Sequence, residues 1–269
     1  MTTSTVAQVL HEAHDRIGSV RAERTGRLRT GVDLGTATCV ITVVDDAGTP
    51  VWLDFHRTAA VRDGVVVDFA AAVTAVRELK ARAENELGVT LDSAATAFPP
   101  CVGEADSRAC RFVVEGAGFD EVTLVDEVSA ANATLAVTDG VVIDVGGGST
   151  GVGVFEHGNL VALDDRPGGG HHLDLILAGA LGVDLADAER RKRAADEDYL
   201  PILRPGIERI AAAIGQLTRG AEHLDLHLAG GALMVPGADA VIGKYLNRAV
   251  RCYPHALLIT PLGIARYAS

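Results

Sequence analysis

A short motif built around an Asp and a Gly occurs twice in this chain. Residues 32–38 read VDLGTAT, and residues 143–150 read IDVGGGST. Each copy is followed by alternating apolar residues and then by turn residues at 46–48 and 156–158. Such alternation around a Gly-containing bend is typical of a strand, a tight turn and a second strand. The sequence therefore predicts two related β-hairpins, one in each half of the chain.

Both predicted turns have the chemistry of a phosphate site. Gly lets the backbone approach a phosphate closely, and successive N–H groups form a nest for an anion. Asp33 and Asp144 can hold Mg²⁺ through water, because this ion gives up its bound water reluctantly. One Asp-x-Gly hairpin is more often a structural turn, but two in one chain favour phosphate binding. The candidate phosphate-binding residues are Gly35, Thr36, Thr38, Gly146, Gly147, Gly148, Ser149 and Thr150.

Two other phosphate-binding motifs are excluded. Residues 146–151 match G-x-G-x-x-G, but that dinucleotide motif requires a helix directly after its glycines, whereas residues 152–160 alternate like a strand. The chain also has no G-x-x-x-x-G-K-[ST] sequence, which excludes a P-loop ATPase. The glycines of the second copy are therefore interpreted as a hairpin turn.

The remainder of the chain alternates predicted strands and helices, which is typical of an α/β fold with covered sheets. The repeated hairpin divides this fold into two related lobes. We predict lobe I from residues 28–139 together with a C-terminal helix at 260–269, and lobe II from residues 140–259. Residues 1–27 are predicted to form an N-terminal helix and tail, which is either a docking peptide or a segment packed on its own domain.

Composition limits the classes of function. The net charge of −12 argues against nonspecific binding to nucleic acid or anionic lipid, because the field of the protein repels polyanions. No apolar stretch is long enough to span a membrane, and the N-terminus lacks the apolar core of a signal peptide. The four cysteines have no C-x-x-C spacing, which fits a reducing compartment. We therefore expect a cytoplasmic protein without a membrane span.

Three further segments support a nucleotide site. Glu127 begins a predicted helix before the second hairpin, where a carboxylate either serves the helix dipole or orients an attacking water. Gly230 and Gly231 follow a predicted strand and can leave bare backbone for adenosine. Gly169 lies in a run of three glycines that is either a phosphate contact or a hinge. The candidate catalytic residues are Asp33, Glu127 and Asp144.

Together these segments resemble the actin-like ATPase superfamily, which includes DnaK-type chaperones, actin, MreB and sugar kinases. Two phosphate motifs, two connecting motifs and an adenosine motif occur in that superfamily's order, at residues 33–36, 126–131, 143–150, 228–237 and 261–265. Residues 62–69 (RDGVVVDF) are similar to MreB. Glu189 and Lys192 match the DnaK-type helix whose acidic and lysine side chains flank the ribose and adenine.

Within the superfamily, the chain closely resembles the EutJ family, the compact DnaK-like proteins of ethanolamine-utilisation operons. The resemblance implies an actin-like ATPase fold, in which duplicated ribonuclease-H-like sheets with helices form two lobes around a nucleotide cleft. It also implies a chaperone-like or reactivating factor that uses ATP/ADP and Mg²⁺ and acts by lobe closure. The implied partners are ethanolamine ammonia-lyase or other microcompartment proteins. The implied location is the cytoplasm, in association with a bacterial microcompartment.

Departures from the DnaK pattern predict weak hydrolysis. No lysine matches the catalytic lysine of DnaK, since Lys80, on a predicted helix, is the only lysine between the first hairpin and Phe98. Val128 stands where the family usually has Pro. We therefore leave open whether ATP is split slowly into ADP and phosphate or only bound. Two alternatives also remain: an ATP-dependent actin-like filament or scaffold, and a small-molecule kinase of the same superfamily, which would need a separate acceptor base.

Overall fold

The computed structural model describes residues 3–62, 64–195 and 197–268. Residues 1 and 2 of the predicted N-terminal segment, Asp63 of the MreB-like run, and Ser269 at the end of the predicted C-terminal helix lie outside the described residues. The chain forms two compact units. Unit 1 comprises the residues up to Ala136 together with those from Leu258 onward, and unit 2 comprises Val137–Leu257.

Unit 1 is built on a five-stranded sheet. Its elements up to Ala136 are α1 (Thr3–His14), β1 (Arg29–Leu34), β2 (Thr38–Val44), β3 (Pro50–Arg57), β4 (Val61–Arg62), β5 (Val65–Val66), α2 (Phe69–Leu87), β6 (Ser93–Phe98), α3 (Glu104–Gly116), β7 (Glu121–Asp126) and α4 (Glu127–Leu135). The strand order is β3-β2-β1-β6-β7, and β4 and β5 form a separate small hairpin. The pairs β3–β2 and β2–β1 are antiparallel, whereas β1, β6 and β7 are parallel.

Unit 2 is built on a second five-stranded sheet. Its elements are β8 (Gly140–Val145), β9 (Ser149–Glu156), β10 (Asn159–Pro167), α5 (Gly170–Leu181), α6 (Leu185–Ala194), α7 (Leu200–Leu217), β11 (Leu226–Ala229), α8 (Ala238–Leu246) and β12 (Val250–Arg251). The strand order is β10-β9-β8-β11-β12. The chain then ends in unit 1 with α9 (Ile259–Ala265).

The two sheets have the same topology. In unit 2, as in unit 1, an antiparallel run of three strands is continued by two parallel strands, since β10–β9 and β9–β8 are antiparallel while β8, β11 and β12 are parallel. The repeated motif occupies the same place in each sheet, at the turn between β1 and β2 and at the turn between β8 and β9. The predicted α/β fold with two related sheet-and-helix lobes is therefore confirmed.

Helix ends follow local sequence signals. α2 begins after Asp68, whose side chain accepts a hydrogen bond from the backbone N–H of Ala71 at 2.9 Å, and ends at Gly88 with φ +66°. α6 begins in the same way after Asp184, which accepts from the N–H of Asp187 at 2.8 Å. A capping carboxylate satisfies N–H groups that have no partner within the helix, and a left-handed Gly closes the C-terminus. Both helix starts and the Gly88 end of α2 therefore follow local signals, whereas α6 ends at Ala195 with a left-handed φ of +48°.

The N-terminal segment packs on unit 1. Val6, Leu10 and Ala13, on one face of α1, are buried. The segment after α1 runs along β3, where the N–H of Gly18 donates to the carbonyl of Leu53 and the N–H of Arg21 donates to that of Val51, both at 2.8 Å. Because β3 is the edge strand of its sheet, this segment covers backbone groups that would otherwise face solvent. The arrangement corresponds to packing on its own domain, one of the two interpretations that the sequence allowed.

Two helices differ in length from the sequence pattern. α7 begins at Leu200, well before the apolar stretch at 207–217, and continues through Pro205. Buried Leu203 and Ile207, one turn apart, carry the helix across that proline. The C-terminal helix α9 ends at Ala265 instead of continuing to the chain end. All seven residues of α9 are buried, so this short helix contributes to the core along its whole length.

Candidate nucleotide site

The β1–β2 turn of unit 1 is tight. The N–H of Gly35 donates to the carbonyl of Thr38 at 3.1 Å. A Cβ at position 35 would lie 2.8 Å from that carbonyl oxygen, so only glycine fits without a shift. Asp33, two residues before the turn, is half-buried and pairs with Val40 across the hairpin. Thr36 lies within the turn, half-buried.

The β8–β9 turn of unit 2 is closed by the same bond. The N–H of Gly146 donates to the carbonyl of Ser149 at 3.1 Å. Here a Cβ at position 146 would lie 3.9 Å from the Ser149 oxygen, which is an ordinary contact. Asp144 precedes this turn as Asp33 precedes the first, but it is buried and lies between Gly151 on β9 and Ala229 on β11. The turns thus share one hydrogen bond and differ in the backbone conformation around the glycine.

Backbone groups of residues 168–171 fix the carbonyls of the second turn. The carbonyl of Gly146 accepts from the N–H of Gly170 at 2.9 Å, that of Gly147 from His171 at 2.9 Å, and that of Gly148 from Gly168 at 2.8 Å. These peptide bonds are trans, so each carbonyl points opposite to the N–H of the following residue. The N–H groups of residues 147–149 therefore point away from the 168–171 segment. Successive N–H groups on one side of a turn can form a nest for an anion, which is the role that the sequence predicts for this turn.

Gly169 and Thr150 support this turn from its carbonyl side. A Cβ at position 169 would collide with the carbonyl oxygen of Gly146 and would lie 3.0 Å from that of Gly147. The Thr150 hydroxyl donates to the carbonyl of Gly168 at 2.7 Å. The structure thus places Gly169 behind the turn, on the side opposite the N–H nest.

The Gly230-Gly231 turn after β11 packs directly against Asp144. Gly230 has φ +81°, and a Cβ there would lie 2.5 Å from Asp144 Oδ1. The N–H of Ala232 donates to the carbonyl of Val145 at 3.2 Å, which ties this turn to the end of β8. Gly231 itself is exposed. The predicted adenosine turn and the predicted phosphate turn of unit 2 are therefore neighbours.

Lys192 and Glu189 on α6 have partners within unit 2. Lys192 Nζ lies 2.6 Å from Asp174 Oδ1 and donates to the carbonyl of Gly170 at 3.0 Å. Burial raises the pKa of the Asp174 carboxyl, and the Lys192 ammonium opposes that shift. Glu189 pairs with Arg193 at 2.6 Å on a more open face of the helix. Lys192 therefore meets the start of α5, directly behind the phosphate turn.

A cavity of about 320 Å³ adjoins Lys192 in unit 2. It lies between the C-terminal part of α6, the start of α7 and the segment after the Gly230-Gly231 turn. Its lining includes Lys192, Tyr199, Leu203, Val235 and Pro236. Glu197 and Asp198 also line it, so the cavity combines apolar walls with three charged side chains, and its volume is in the range of small-molecule pockets.

Asp33 and Glu127 lie at the same edge of the unit 1 sheet. The carboxyl ends of the parallel strands β1, β6 and β7 meet there, and Glu127 directly follows β7. Asp126 caps α4 by accepting from the N–H of Ser129 at 2.7 Å, which places Glu127 in the first helical turn. Burial, together with the carboxylates of Glu127, Asp106 and Asp33, raises the pKa of the Cys110 thiol to about 12. The charges of both predicted catalytic carboxylates of unit 1 therefore act on one buried thiol.

Each unit brings together most of the predicted residues that belong to it, whereas Glu189 pairs with Arg193 on a more open face of α6. Unit 1 holds Asp33, Gly35, Thr36, Thr38 and Glu127 at or next to one sheet edge. Unit 2 brings together Asp144, the 146–150 turn, Gly169, Lys192 and Gly230. Sequence reasoning missed Asp174 and Ala232. The spacing of Asp174 from Gly170, four residues along a predicted helix, places both on one helix face and is a signal that could have found it.

Comparison with known proteins supports this assignment of the fold. Residues 54–178 match the family model of MreB/Mbl protein. The ethanolamine utilization protein EutJ of Salmonella typhimurium is 38% identical over 236 residues, which cover 87% of this chain and 84% of that protein. The chain belongs to the EutJ family. The resemblance expected from the motifs is thereby confirmed.

Solved structures agree with membership of the EutJ family. The crystal structure of EutJ from Carboxydothermus hydrogenoformans superposes with a TM-score of 0.93 at 38% identity, covering 98% of this chain and 99% of that chain. MreB5 of Spiroplasma citri bound to ADP superposes with a TM-score of 0.73 at 15% identity, covering 88% and 94%. The actin-like fold of this EutJ-family chain is therefore confirmed. No helix within residues 3–62, 64–195 and 197–268 is long and apolar enough to cross a membrane.

Proposed function

We propose that this protein binds Mg²⁺-ATP and works as a nucleotide-dependent, chaperone-like or reactivating factor in ethanolamine utilisation. The observation that carries the proposal is the turn at 146–149, whose carbonyls are fixed by residues 168–171 so that its N–H groups face the other way. A nest of N–H groups beside a carboxylate, here Asp144, suits a phosphate and its metal ion. The matching turn at 35–38, preceded by Asp33, supports the same role in unit 1.

At the phosphate end, the turn of unit 2 would bind phosphate and Asp144 would hold Mg²⁺ through water. In unit 1, the turn at 35–38 and Asp33 would have the same roles. Bound Mg²⁺-ATP would supply the transferable phosphoryl group and the charge that neutralises it. Either Glu127 or Asp144 orients the attacking water. Each of these carboxylates belongs to a sheet end or helix start that fixes its position.

At the nucleoside end, the exposed backbone of Gly231 borders adenosine. Met234 lies three residues further along the chain and is 45% exposed, so it offers an apolar contact for the base. Helix α6, which carries Glu189 and Lys192, borders this end, and Lys192 lines the 320 Å³ cavity. The structures of MreB5 bound to ADP and to AMPPNP support an adenine nucleotide as the ligand of this fold.

Hydrolysis in this proposal is slow, because no lysine of the chain matches the catalytic lysine of DnaK-type ATPases. The chain contains three lysines. Lys80 pairs with Glu84 at 2.8 Å, Lys192 pairs with Asp174 at 2.6 Å, and Lys244 is an exposed residue of α8. Phosphoryl transfer depends on positioning and on stabilising negative charge, so a site with backbone N–H groups and Mg²⁺ alone holds ATP better than it splits it.

The role in ethanolamine utilisation rests on family membership. The curated relatives carry the name ethanolamine utilization protein EutJ. We propose ethanolamine ammonia-lyase or another microcompartment protein as the partner, with the protein acting in the cytoplasm in association with a microcompartment. A nucleotide-dependent change of shape would let such a partner distinguish the ATP and ADP states.

Titration calorimetry tests the nucleotide site. We expect ATP and ADP to bind in the presence of Mg²⁺, and EDTA to weaken binding. Asp144→Asn should lower the Mg²⁺-dependent affinity by about 10- to 100-fold, as is usual when a group that holds a metal ion is altered. Asp225→Asn is the control, because Asp225 precedes the opposite end of β11 and pairs with Arg251. Absence of nucleotide binding by the unaltered protein would overturn the proposal.

A filament or scaffold is the second candidate function, favoured by the match of residues 54–178 to MreB/Mbl protein. In that case ATP would govern assembly instead of partner release. Sedimentation with and without Mg²⁺-ATP separates the two functions. A pellet that forms only with ATP would replace the chaperone-like role by the filament role, and protein that stays in the supernatant would support the first proposal.

A further inference from the structure

Lys192 is held inside unit 2 and does not extend from α6. Its side chain is only 9% exposed, and that of its partner Asp174 is 10% exposed. The ammonium contacts Asp174 Oδ1 at 2.6 Å and the carbonyl of Gly170 at 3.0 Å. One donor of the ammonium is used by the Gly170 carbonyl, and the Asp174 carboxylate balances its charge at ion-pair distance. The geometry is that of an internal tie between α6 and α5.

We propose that Lys192 is a positioning residue, which acts with Asp174 to hold the first turn of α5 and thereby the phosphate turn of unit 2. The inference rests on the proposed nucleotide site, and it assigns Lys192 a task different from contact with the ribose. Lys192 therefore affects nucleotide binding indirectly, through the backbone whose position it fixes.

Gly170 connects the ion pair to the turn. Its carbonyl accepts from Lys192, while its N–H donates to the carbonyl of Gly146 at 2.9 Å. The next residue, His171, donates to the carbonyl of Gly147 at 2.9 Å. One peptide segment thus joins the ammonium on one side to two carbonyls of the phosphate turn on the other. Those two carbonyls set the direction of the N–H groups of residues 147 and 148.

The same contact reaches the predicted adenosine turn. A Cβ at position 170 would lie 3.5 Å from Lys192 Nζ and 3.4 Å from the Cβ of Ala232. Ala232 in turn donates its N–H to the carbonyl of Val145, directly before the phosphate turn. Lys192, Gly170 and Ala232 therefore pack at one point, where the two nucleotide-facing turns of unit 2 meet.

The contact between Lys192 and Asp174 depends on both charges being present. A buried ammonium or carboxylate without its partner is strongly unfavourable, whereas removing both charges together is often tolerated. Loss of Lys192 alone leaves the buried Asp174 carboxylate without its nearest cation, next to the start of α5. We expect that turn of the helix to rearrange to solvate the carboxylate, and the bonds from Gly170 and His171 to the phosphate turn to loosen with it.

Hydrogen–deuterium exchange of the nucleotide-free protein is the first test. In Lys192→Met, amides of residues 168–172 and 146–150 should exchange at least about tenfold faster than in the unaltered protein, as expected when local opening becomes easier. Arg190→Met, on the exposed side of the same helix, is the matched control and should leave both segments unchanged. Unchanged exchange in Lys192→Met would overturn the inference. This readout needs no nucleotide, so it is independent of whether ATP binds.

Nucleotide affinity is the second test. A positioning role predicts that Lys192→Met lowers the affinity for ATP by about 10- to 100-fold, while the ratio of the ATP affinity to the 2′-deoxyATP affinity stays constant. A changed ratio with normal exchange would show direct contact with the ribose and overturn the inference. If Lys192→Met does not fold, Asp174→Asn and Lys192→Arg take its place. Asp174→Asn should show the faster exchange, and Lys192→Arg, which keeps the charge, should remain close to the unaltered protein; the reverse pattern would contradict the proposal.

A double substitution separates positioning from general stability. Asp174→Leu together with Lys192→Met should recover the thermal midpoint lost in Lys192→Met, because no buried charge remains unpaired. Exchange at residues 168–172 should nevertheless stay faster than in the unaltered protein, since the bond to the Gly170 carbonyl is still missing. Full recovery of both properties would reduce the pair to a structural ion pair and overturn the positioning role.

Discussion

The N–H of Gly35 donates to the carbonyl of Thr38 at 3.1 Å, and the corresponding bond from Gly146 to Ser149 has the same length. The two turns are therefore copies in their hydrogen bonding. They differ in the space beside the glycine, since a Cβ would lie 2.8 Å from the carbonyl oxygen at position 35 and 3.9 Å from it at position 146. The duplicated motif has kept this hydrogen bond, whereas the backbone conformation around the glycine differs between the two copies.

This difference predicts unequal effects of the same substitution. Gly35→Ala should destabilise unit 1 by about 1–3 kcal/mol, the usual cost of forcing an extra methyl group into occupied space. Gly146→Ala should change stability by less than about 1 kcal/mol, because the added Cβ meets only an ordinary contact. Scanning calorimetry of the two variants measures both. Equal destabilisation would show that the turns are packed alike.

The adjacent glycines after β11 should also respond differently. Gly230→Ala should destabilise unit 2, because Gly230 has φ +81° and a Cβ there would approach Asp144 Oδ1 to 2.5 Å. Gly231→Val should leave the fold intact, since position 231 is exposed and its nearest neighbour is Leu257 Cβ at 3.3 Å. Gly231→Val should instead weaken the binding free energy of ATP by about 1–3 kcal/mol, because the valine side chain covers the backbone proposed to border adenosine. Calorimetric titration checks this, and unchanged ATP affinity would remove Gly231 from the site.

The N-terminal helix is expected to be part of the fold. Leu10 is fully buried, so Leu10→Ala should lower the free energy of unfolding of unit 1 by about 2–5 kcal/mol. Fluorescence of Trp52, the single tryptophan, reports this unit, because Trp52 lies in β3 and its Nε1–H donates to Glu86 Oε2 at 2.8 Å. Val161→Ala, at a residue 54% exposed on β10, is the control and should stay within about 0.5 kcal/mol. A Leu10→Ala protein as stable as the control would favour a docking role for α1.

Asp45 predicts an acid-dependent contribution to stability. Burial alone would raise the pKa of its carboxyl, but hydrogen bonds donated by Thr49 and Thr25 outweigh burial and hold the pKa below its ordinary value of 3.8. A carboxyl whose pKa is lower in the folded state stabilises the fold at pH values above its pKa in the unfolded chain. This stabilisation is lost as the pH falls through the pKa of the folded state.

Unfolding of Asp45→Asn as a function of pH tests this sign. At pH 7 the variant should be less stable by about 1–3 kcal/mol, since hydrogen bonds to a charged group are lost. The difference from the unaltered protein should shrink as the pH falls below 3.8, where the native carboxyl also becomes neutral. Glu23→Gln, at an exposed position in the segment after α1, serves as the control within the same unit. A gap that stays constant down to pH 2 would contradict the prediction.

The cysteines should differ sharply in reactivity. Cys39 and Cys110 are buried, and burial raises the pKa of both thiols, that of Cys110 to about 12. Cys252 is exposed, but partial desolvation raises the pKa of its thiol to about 11, which lowers its thiolate fraction at pH 8 by roughly a hundredfold relative to an ordinary thiol. We therefore expect exposed Cys101 to react first with a maleimide. Mass spectrometry of the labelled native protein checks the order, and early labelling of Cys110 would show that its surroundings open readily.

Much of the fold follows from local patterns in the chain. The alternation after Gly35 and Gly146 predicts both hairpins, and Asp68 and Asp184 mark the starts of α2 and α6 as the structure has them. These features depend on neighbours a few residues away, which the sequence shows directly. Exposed β10 and two-residue β12 lack such a pattern, because little of their side-chain surface contributes to the core.

By itself, the sequence determined that the chain has two copies of an Asp-x-Gly hairpin within an α/β fold, since periodicity and glycine placement act over short distances. Only the tertiary structure decided that Lys192 is tied to Asp174 and Gly170, and that the segment after α1 covers β3. Each of these contacts joins residues far apart in the chain. Their choice of partner depends on which surfaces the folded core brings together, and no local pattern of residues specifies that choice.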